Sequence, residues 1–362
     1  MSSIVYFWLV CLMTCSSCNY LSKANDRFCT QCGHALFHFD APRADVPRTD
    51  GSSAICLDGK MPSLQDRPVD LVRSHQLAGI SDRGRWHSQN EDAIAVEHLE
   101  SDRSVGQSVG RSVGQSVGRS VLIVCDGVSS STHPENASAT AATIVALALA
   151  DNVATTPTSC PKATLASAIR QAQQAVARLA EPDPSNSSSS SPSSSNQCLR
   201  NPPATTIVAA VIQTDDQAKT LATIGWLGDS RAYWIAHDTA QLLTRDDSWL
   251  NAIRISGKLS EAEALRSPYV HAITRWLGAN ADHLPSLIQV PLDQAGYLIL
   301  CSDGFWNYAA EPDRVAELCQ RSPLQSAHTI AQILVHHALS CGGRDNISVA
   351  VYYHDPSHEP QP

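Results

Sequence analysis

The chain reads as an α+β protein in which runs of antiparallel-type strands are interrupted by paired helices. Three patterns carry that expectation. Short apolar runs with strand-like alternation recur at residues 207–212, 221–227, 232–235, 297–300 and 347–352. Two longer segments, 135–152 and 162–180, have helical spacing; in the second, Leu165, Ala168, Ile169, Ala172, Val176 and Leu179 share one face. Asp126-Gly127 and Asp303-Gly304 each close a strand-like run, with a glycine that lets the backbone turn sharply.

Taken in order, the elements begin with an apolar run at residues 4–13, only ten residues long and with no preceding Lys or Arg. It is too short to span a bilayer, which takes about 20 residues, and it argues against both a signal peptide and a membrane span. Leu12-Met13-Thr14-Cys15 loosely resembles a lipoprotein cleavage site, but the threonine before the cysteine and the uncharged start count against it. Cys15-x-x-Cys18 and Cys29-x-x-Cys32-Gly33 are two pairs separated by ten residues, the spacing of a small zinc ribbon in which four thiolates close a structural Zn²⁺ site. A redox pair or free thiols is the competing account; two pairs plus a following glycine favour zinc. Residues 1–40 thus form a zinc-ribbon-like segment. Residues 41–70, which mix Pro, Asp, Arg, Gly and Ser without periodicity, read as a linker.

The main domain is expected over residues 71–356. It carries a strand at 93–97, a Ser-Val-Gly repeat with Gln or Arg in the fourth place at 104–120, and a strand at 121–125. The two helices follow, then a serine-rich insert at 184–197; both inserts read as flexible loops. After the later strands comes a helix at 324–340, ended by Gly342-Gly343.

With 362 residues and 43% hydrophobic content, the chain can fill a sizeable core. Its formal charge of −9 argues against nucleic-acid binding through a broad basic surface. The cysteine-paired segment is no better placed for that role, since from Cys15 to Cys32 it holds only Lys23 and Arg27 as cations. Of the 12 cysteines, Cys125, Cys301 and Cys319 sit in apolar patterns as small core residues, which fits a reducing cytoplasm.

Glu91-Asp92, Asp126, Asp303 and Asp345-Asn346 have no His beside them, and the one adjoining cysteine, Cys125, sits in an apolar pattern as a core residue. Such carboxylates suit hard divalent cations, Mg²⁺ or Mn²⁺, better than zinc. Eight stretches, in order, extend the pattern. They are Ser81-Asp82-Arg83-Gly84 with Asn90-Glu91-Asp92-Ala93, Val124-Cys125-Asp126-Gly127, Ala204-Thr205-Thr206, Gly228-Asp229-Ser230-Arg231-Ala232-Tyr233, Leu243-Thr244-Arg245-Asp246-Asp247-Ser248, Ile273-Thr274-Arg275-Trp276-Leu277-Gly278, Cys301-Ser302-Asp303-Gly304 and Arg344-Asp345-Asn346-Ile347-Ser348. Taken together, the set resembles the metal-dependent Ser/Thr protein phosphatases, the PPM or type 2C family, over about residues 75–353.

The resemblance implies a four-layer α/β/β/α sandwich of two mainly antiparallel sheets flanked by helices. It implies hydrolysis of phosphoserine and phosphothreonine in proteins by a water held between two Mn²⁺ or Mg²⁺ ions. Asp126 would bridge both ions with the Gly127 carbonyl beside it, Asp303 and Asp345 would hold the second, and Glu91 and Asp92 would anchor the waters of the first. Asn346 and Asp229 are expected to support these ligands, although Asp229 is equally a turn cap or an accessory metal ligand. The expected partners are phosphoproteins made by a bacterial Ser/Thr kinase, and the expected state is a cytoplasmic monomer.

Two positions depart from the family. The usual phosphate-binding arginine three residues before Asn-Glu-Asp is His87; if that segment is extended, Arg83, Arg85 and His87 share a face and Arg85 can substitute. Val128-Ser129-Ser130 replaces the usual His or Met followed by small glycines, and His133 lies nearby. These departures leave open an alternative, a pseudophosphatase that binds phosphoproteins as a regulatory scaffold.

Overall fold

The computed structural model describes residues 12–14, 21–23, 68–99, 118–155, 160–181, 201–215, 217, 219–279, 281, 283–320 and 326–356. Cys15, Cys18, Cys29 and Cys32, the linker up to residue 67 and nearly all of both inserts lie outside them. The chain divides into two compact units, Met1–Arg67 and Pro68–Pro362. In the first, β1 (Leu12–Thr14) and β2 (Leu21–Lys23) pair antiparallel.

The second unit opens with β3 (Val69–Ser74), β4 (Leu77–Asp82), β5 (Asp92–Leu99) and β6 (Arg119–Asp126), followed by α1 (Pro134–Thr155) and α2 (Pro161–Arg178). Next come β7 (Ala204–Thr205), β8 (Ile207–Thr214), β9 (Thr220–Leu227), β10 (Arg231–Ala236) and β11 (Thr239–Leu242). Then follow α3 (Trp249–Ser256), α4 (Glu261–Leu265), β12 (Leu277–Gly278), β13 (Ser286–Pro291) and β14 (Gly296–Cys301). The unit ends with α5 (Asp303–Trp306), α6 (Pro312–Cys319), α7 (Ala327–Ser340) and β15 (Ile347–His354).

Eleven of these strands build two large sheets. One has six strands in the order β11-β10-β14-β15-β4-β3, the other five in the order β13-β9-β8-β6-β5. Every neighbouring pair within them is antiparallel. The α+β expectation is met.

Strand alternation distributes the apolar side chains between three cores. On β6, Leu122 and Val124 join a core with Val208, Ala210, Leu298 and Leu300, so it draws on both sheets. Val121, Ile123 and Cys125, the alternate residues, pack with Leu165, Ile169 and Val176 of α2 and with Val145 and Leu149 of α1. On the six-stranded sheet, Ile299, Cys301, Val349 and Val351 pack with Leu318 of α6 and Ile330 and Leu334 of α7. Both faces of the central strands are buried, which is why their sequences read as continuous apolar runs. Cys125, Cys301 and Cys319 are 0%, 0% and 4% exposed, as small core residues should be.

The two long helical segments and α7 occupy the regions their periodicity predicts. Ser326 caps α7, its hydroxyl accepting from the Thr329 amide at 3.1 Å. The expected linker needs correcting at its end, because β3 begins at Val69 and Asp70 pairs with Ile80. As an edge strand it exposes nearly every residue and has no alternation to reveal it. The short helices α3 to α6 gave no periodic signal for a similar reason: at eight residues or fewer they complete too little of a helical face. Among the described residues, no helix is long and apolar enough to cross a membrane.

Candidate functional site

The carboxylates are delivered by strand ends. Asp92 opens β5 directly opposite Asp126, which closes β6. Asp303 starts α5, one residue (Ser302) beyond the end of β14, while Asp345 lies on the turn that enters β15. Because β14 and β15 run antiparallel, with Cys301 opposite Val349, the exit of one meets the entrance of the other. Asp229 sits in the turn from β9 to β10, beside Gly228 with φ +105.

These groups act on one another. The Asp126 carboxyl is within hydrogen-bonding reach of both Asp92 and Asp303. Burial pushes Asp92 up to about 7, with repulsion from Asp345 adding to it and the hydroxyls of Ser348 and Ser302 opposing it. Asp126 is raised well above the usual carboxylate range by burial, then by Asp92, Asp303, Asp229 and Asp345. Asp303 is raised likewise by burial, then by Asp345, Asp229 and Asp92. Asp229 is lifted to about 7 by burial and by Asp246.

Such carboxyls need a proton or a cation between them. Hard oxygen donors of this kind match a divalent cation such as Mn²⁺ or Mg²⁺ in chemistry. Among the described residues no group of three or more His, Cys, Asp and Glu side chains is already arranged to hold one ion.

A pH dependence follows for the metal-free protein. Asp92 and Asp229 have folded values of about 7 against ordinary values of 3.8, so the folded state binds more protons between those limits. Their contribution to stability is complete below about pH 4 and is lost as pH rises through about 7. The Tm of EDTA-treated protein is therefore expected to fall by several degrees between pH 5 and pH 7, and saturating Mn²⁺ should abolish the fall. Scanning fluorimetry checks this; a Tm that stays flat or rises across that window contradicts it.

The support around the carboxylates is dense. Asn346, 3% exposed, accepts from the Glu91 amide at 2.7 Å and donates to the carbonyls of Arg83 at 2.7 Å and Gln89 at 3.1 Å. One amide thus ties three segments of the site together. The Asp126 carbonyl accepts from the Thr206 amide and the Thr205 hydroxyl, both at 2.8 Å. Gly127 is required by space: a Cβ there would lie 2.6 Å from the Glu91 carbonyl oxygen.

Glu91 is engaged differently from the aspartates. Its carboxylate accepts from Ser129 at 2.6 Å, and its backbone carbonyl from Ser138 at 2.5 Å and the Gly127 amide at 3.2 Å. The departure at Val128-Ser129-Ser130 therefore supplies a hydroxyl partner for Glu91. His133 is exposed, and its Nδ1 lies 3.3 Å from Glu135.

The expectation that Arg83, Arg85 and His87 form one extended face is corrected. Gly84 has φ +74 and begins a tight turn, because a Cβ there would lie 2.1 Å from the Asp345 carbonyl oxygen. Arg83 Nη1 donates to the His87 carbonyl and closes the turn. Arg85 is exposed; its amide donates to Gly343 at 2.7 Å and its stem lies along that glycine. His87 instead turns inward, with Nε2 3.2 Å from Asp345 Oδ1.

Sequence reasoning assigned no role to a second set of residues. Arg231 donates to both oxygens of Asp246 at 2.9 and 2.8 Å and lies 3.8 Å over the Trp306 ring, whose Nε1 donates to the Asp229 carbonyl at 2.9 Å. Asp247 accepts from the Gly228 amide at 3.1 Å and from Arg275 at 3.0 Å. Together they brace the Asp229 turn. Their signal was present in the Asp246-Asp247 and Thr274-Arg275 motifs, but pairing between them is a tertiary fact.

The sequence profile of the protein phosphatase 2C family matches residues 104–337. The chain belongs to that family. Among its type 2C relatives, the Stp serine/threonine phosphatase of Listeria welshimeri is 32% identical over 145 residues, covering 40% of this chain and 54% of that protein. The chain spans about half the length of the curated relatives it matches. In three dimensions it resembles the Mycobacterium tuberculosis serine/threonine phosphatase PstP/Ppp with TM-score 0.56 at 24% identity, over 77% of this chain and 98% of that one. A catalytic domain of PstP solved with two manganese ions gives TM-score 0.54 at 23% identity, over 77% and 98% of the two chains. These likenesses establish the type 2C fold.

Proposed function

We propose that the chain hydrolyses phosphoserine and phosphothreonine in proteins, as its relatives' names state for them. One observation carries the proposal: aspartates from separate strand ends meet, with Asp126 reaching both Asp92 and Asp303. In this reading Asp126 and the Gly127 carbonyl lie between two sites, Asp303 and Asp345 complete one, and Glu91 and Asp92 serve the other. Two Mn²⁺ or Mg²⁺ ions bound there would supply an activated water and neutralise the phosphoryl group. Asn346 and Asp229 hold the carboxylate-bearing turns, and His87, beside Asp345, orients substrate phosphate in place of the family's arginine. Arg85, exposed on the same turn, is left for the outer edge of the substrate. The core pattern supports a helix–sheet–sheet–helix sandwich for the unit that opens with β3.

Further parts of the proposal rest on sequence. They are a structural Zn²⁺ on Cys15, Cys18, Cys29 and Cys32, substrates phosphorylated by a bacterial Ser/Thr kinase, and a monomer in the cytoplasm. The scaffold alternative gains nothing from the comparisons, since the relatives named above are phosphatases.

The test is phosphate release from p-nitrophenyl phosphate and from a phosphothreonine peptide. Turnover with Mn²⁺ that disappears with EDTA is the expected result. Turnover unaffected by EDTA would exclude the metal-dependent reading, and Mn²⁺ binding without turnover would favour the scaffold.

A further inference from the structure

Beneath the carboxylates runs a chain of side-chain hydrogen bonds whose direction is set by its ends. Ser81 on β4 and Ser348 on β15 are direct partners in the strand ladder, with hydroxyl oxygens 2.7 Å apart. Strand alternation points both away from the helix-facing core that holds Ile80, Ile347 and Val349. Asn90 Oδ1 accepts from the Asp92 amide at 3.2 Å, which leaves its Nδ2 to donate to Ser81 Oγ at 2.8 Å. Ser81 therefore accepts there, and its own proton goes to Ser348. Ser348 in turn lies within reach of the Asp92 carboxylate, and its hydroxyl opposes the rise that burial causes there.

A second arm reaches the same carboxylate. The Ser348 amide donates to Ser302 Oγ at 3.0 Å, and Ser302 donates to Asp92 Oδ2 at 2.8 Å. The Asn346 carbonyl, at 3.5 Å from Ser302, is too far to compete for that proton. Ser81, Ser302 and Ser348 are 1%, 0% and 0% exposed, so no water replaces these bonds freely. Each hydroxyl accepts one bond and donates one, and bonds in such a chain polarise one another in a low-dielectric interior. The first arm is a closed circuit that leaves Asp92 through its amide and returns to its carboxylate.

We propose that Ser81, Ser302 and Ser348 are positioning residues that aim the Asp92 carboxylate outward for a divalent cation. The proposal rests on the divalent-cation reading given above. If the serines merely satisfied one another, their loss would lower stability and leave cation affinity alone. If they aim Asp92, affinity changes in a graded order set by distance from that carboxylate.

Calorimetric titration of the full chain with Mn²⁺, alongside thermal melting of the metal-free protein, separates the two. Ser302→Ala and Ser348→Ala are each expected to weaken Mn²⁺ binding about 10-fold, as loss of a ligand's supporting bond commonly does. The double variant should weaken it further, and Ser81→Ala, which acts only through Ser348, should have a smaller effect. Should Ser348→Ala fail to fold, Ser302→Ala carries the comparison. Affinities within twofold of wild type for Ser302→Ala and Ser348→Ala overturn the proposal while the metal reading stands. Wild-type protein that binds no Mn²⁺ overturns both.

Discussion

Asp126→Asn is expected to lower kcat on phosphoserine and phosphothreonine substrates by on the order of 10³-fold or more, while raising the Tm of the metal-free protein. The first effect follows from position. Asp126 lies between Asp92 and Asp303 and within the field of Asp229 and Asp345, so any cation held by this cluster meets its carboxylate. A loss of that size corresponds to about 4 kcal/mol of transition-state stabilisation, which is reasonable for a group proposed to serve two ions. The second effect has the opposite sign because the same position is the most crowded with negative charge. Asparagine keeps the shape, removes the charge and lets its amide donate to the neighbouring carboxyls. Activity with Mn²⁺, calorimetry and scanning fluorimetry on one preparation check both halves. A variant within tenfold of wild-type activity would rule out the proposed role of Asp126.

Gly304→Ala is expected to cost more than about 4 kcal/mol, a large part of the 5–15 kcal/mol that stabilises a typical domain. A Cβ on Gly304 would lie 1.9 Å from the Asn346 carbonyl oxygen and 2.8 Å from its carbon. Both are backbone atoms, so no rotamer change relieves the overlap. The start of α5 and the Asp345-Asn346 turn would have to separate. Asn346 holds the Glu91 amide and the Arg83 and Gln89 carbonyls, so the displacement would spread through the site. Gly257→Ala is the matched control: that residue caps α3 at φ +62 with nothing within 4 Å of an added Cβ. Its cost is limited to the left-handed backbone, about 1 kcal/mol. Urea unfolding of the two variants measures the contrast. Equal stabilities would show that the two turns are not pressed together as described.

Much of this site was legible before any fold was known. Asp126 and Asp303 close apolar runs and precede glycine, which announces a strand end and a sharp turn; β6 ends at Asp126 and β14 ends at Cys301, one residue short of Asp303. Long α1 and α2 declared themselves through helical spacing, because each buries one face, and the central strands through continuous apolar runs, because both of their faces are buried. What stayed hidden was short or irregular. The alternation of Arg83, Arg85 and His87 is compatible with an extended segment; only contact with Asp345 and Gly343 bends it at Gly84. Ser81, Ser302 and Ser348 lie within the motifs but carry no signal of their own, since a serine's importance depends on the partner it faces.

The sequence by itself determined which hard oxygen donors the protein can offer, their order along the chain, and strands and helices long enough to carry them. The periodicity of burial and the demands of tight turns are local properties, so residue order suffices to express them. Only the tertiary structure decided that His87, not Arg85, faces Asp345, that Ser129 engages Glu91, and that two serine arms meet on Asp92. Those outcomes depend on hydrogen bonds between residues up to 267 positions apart. A directional bond of that kind exists only once the strand ladders have brought its donor and acceptor together.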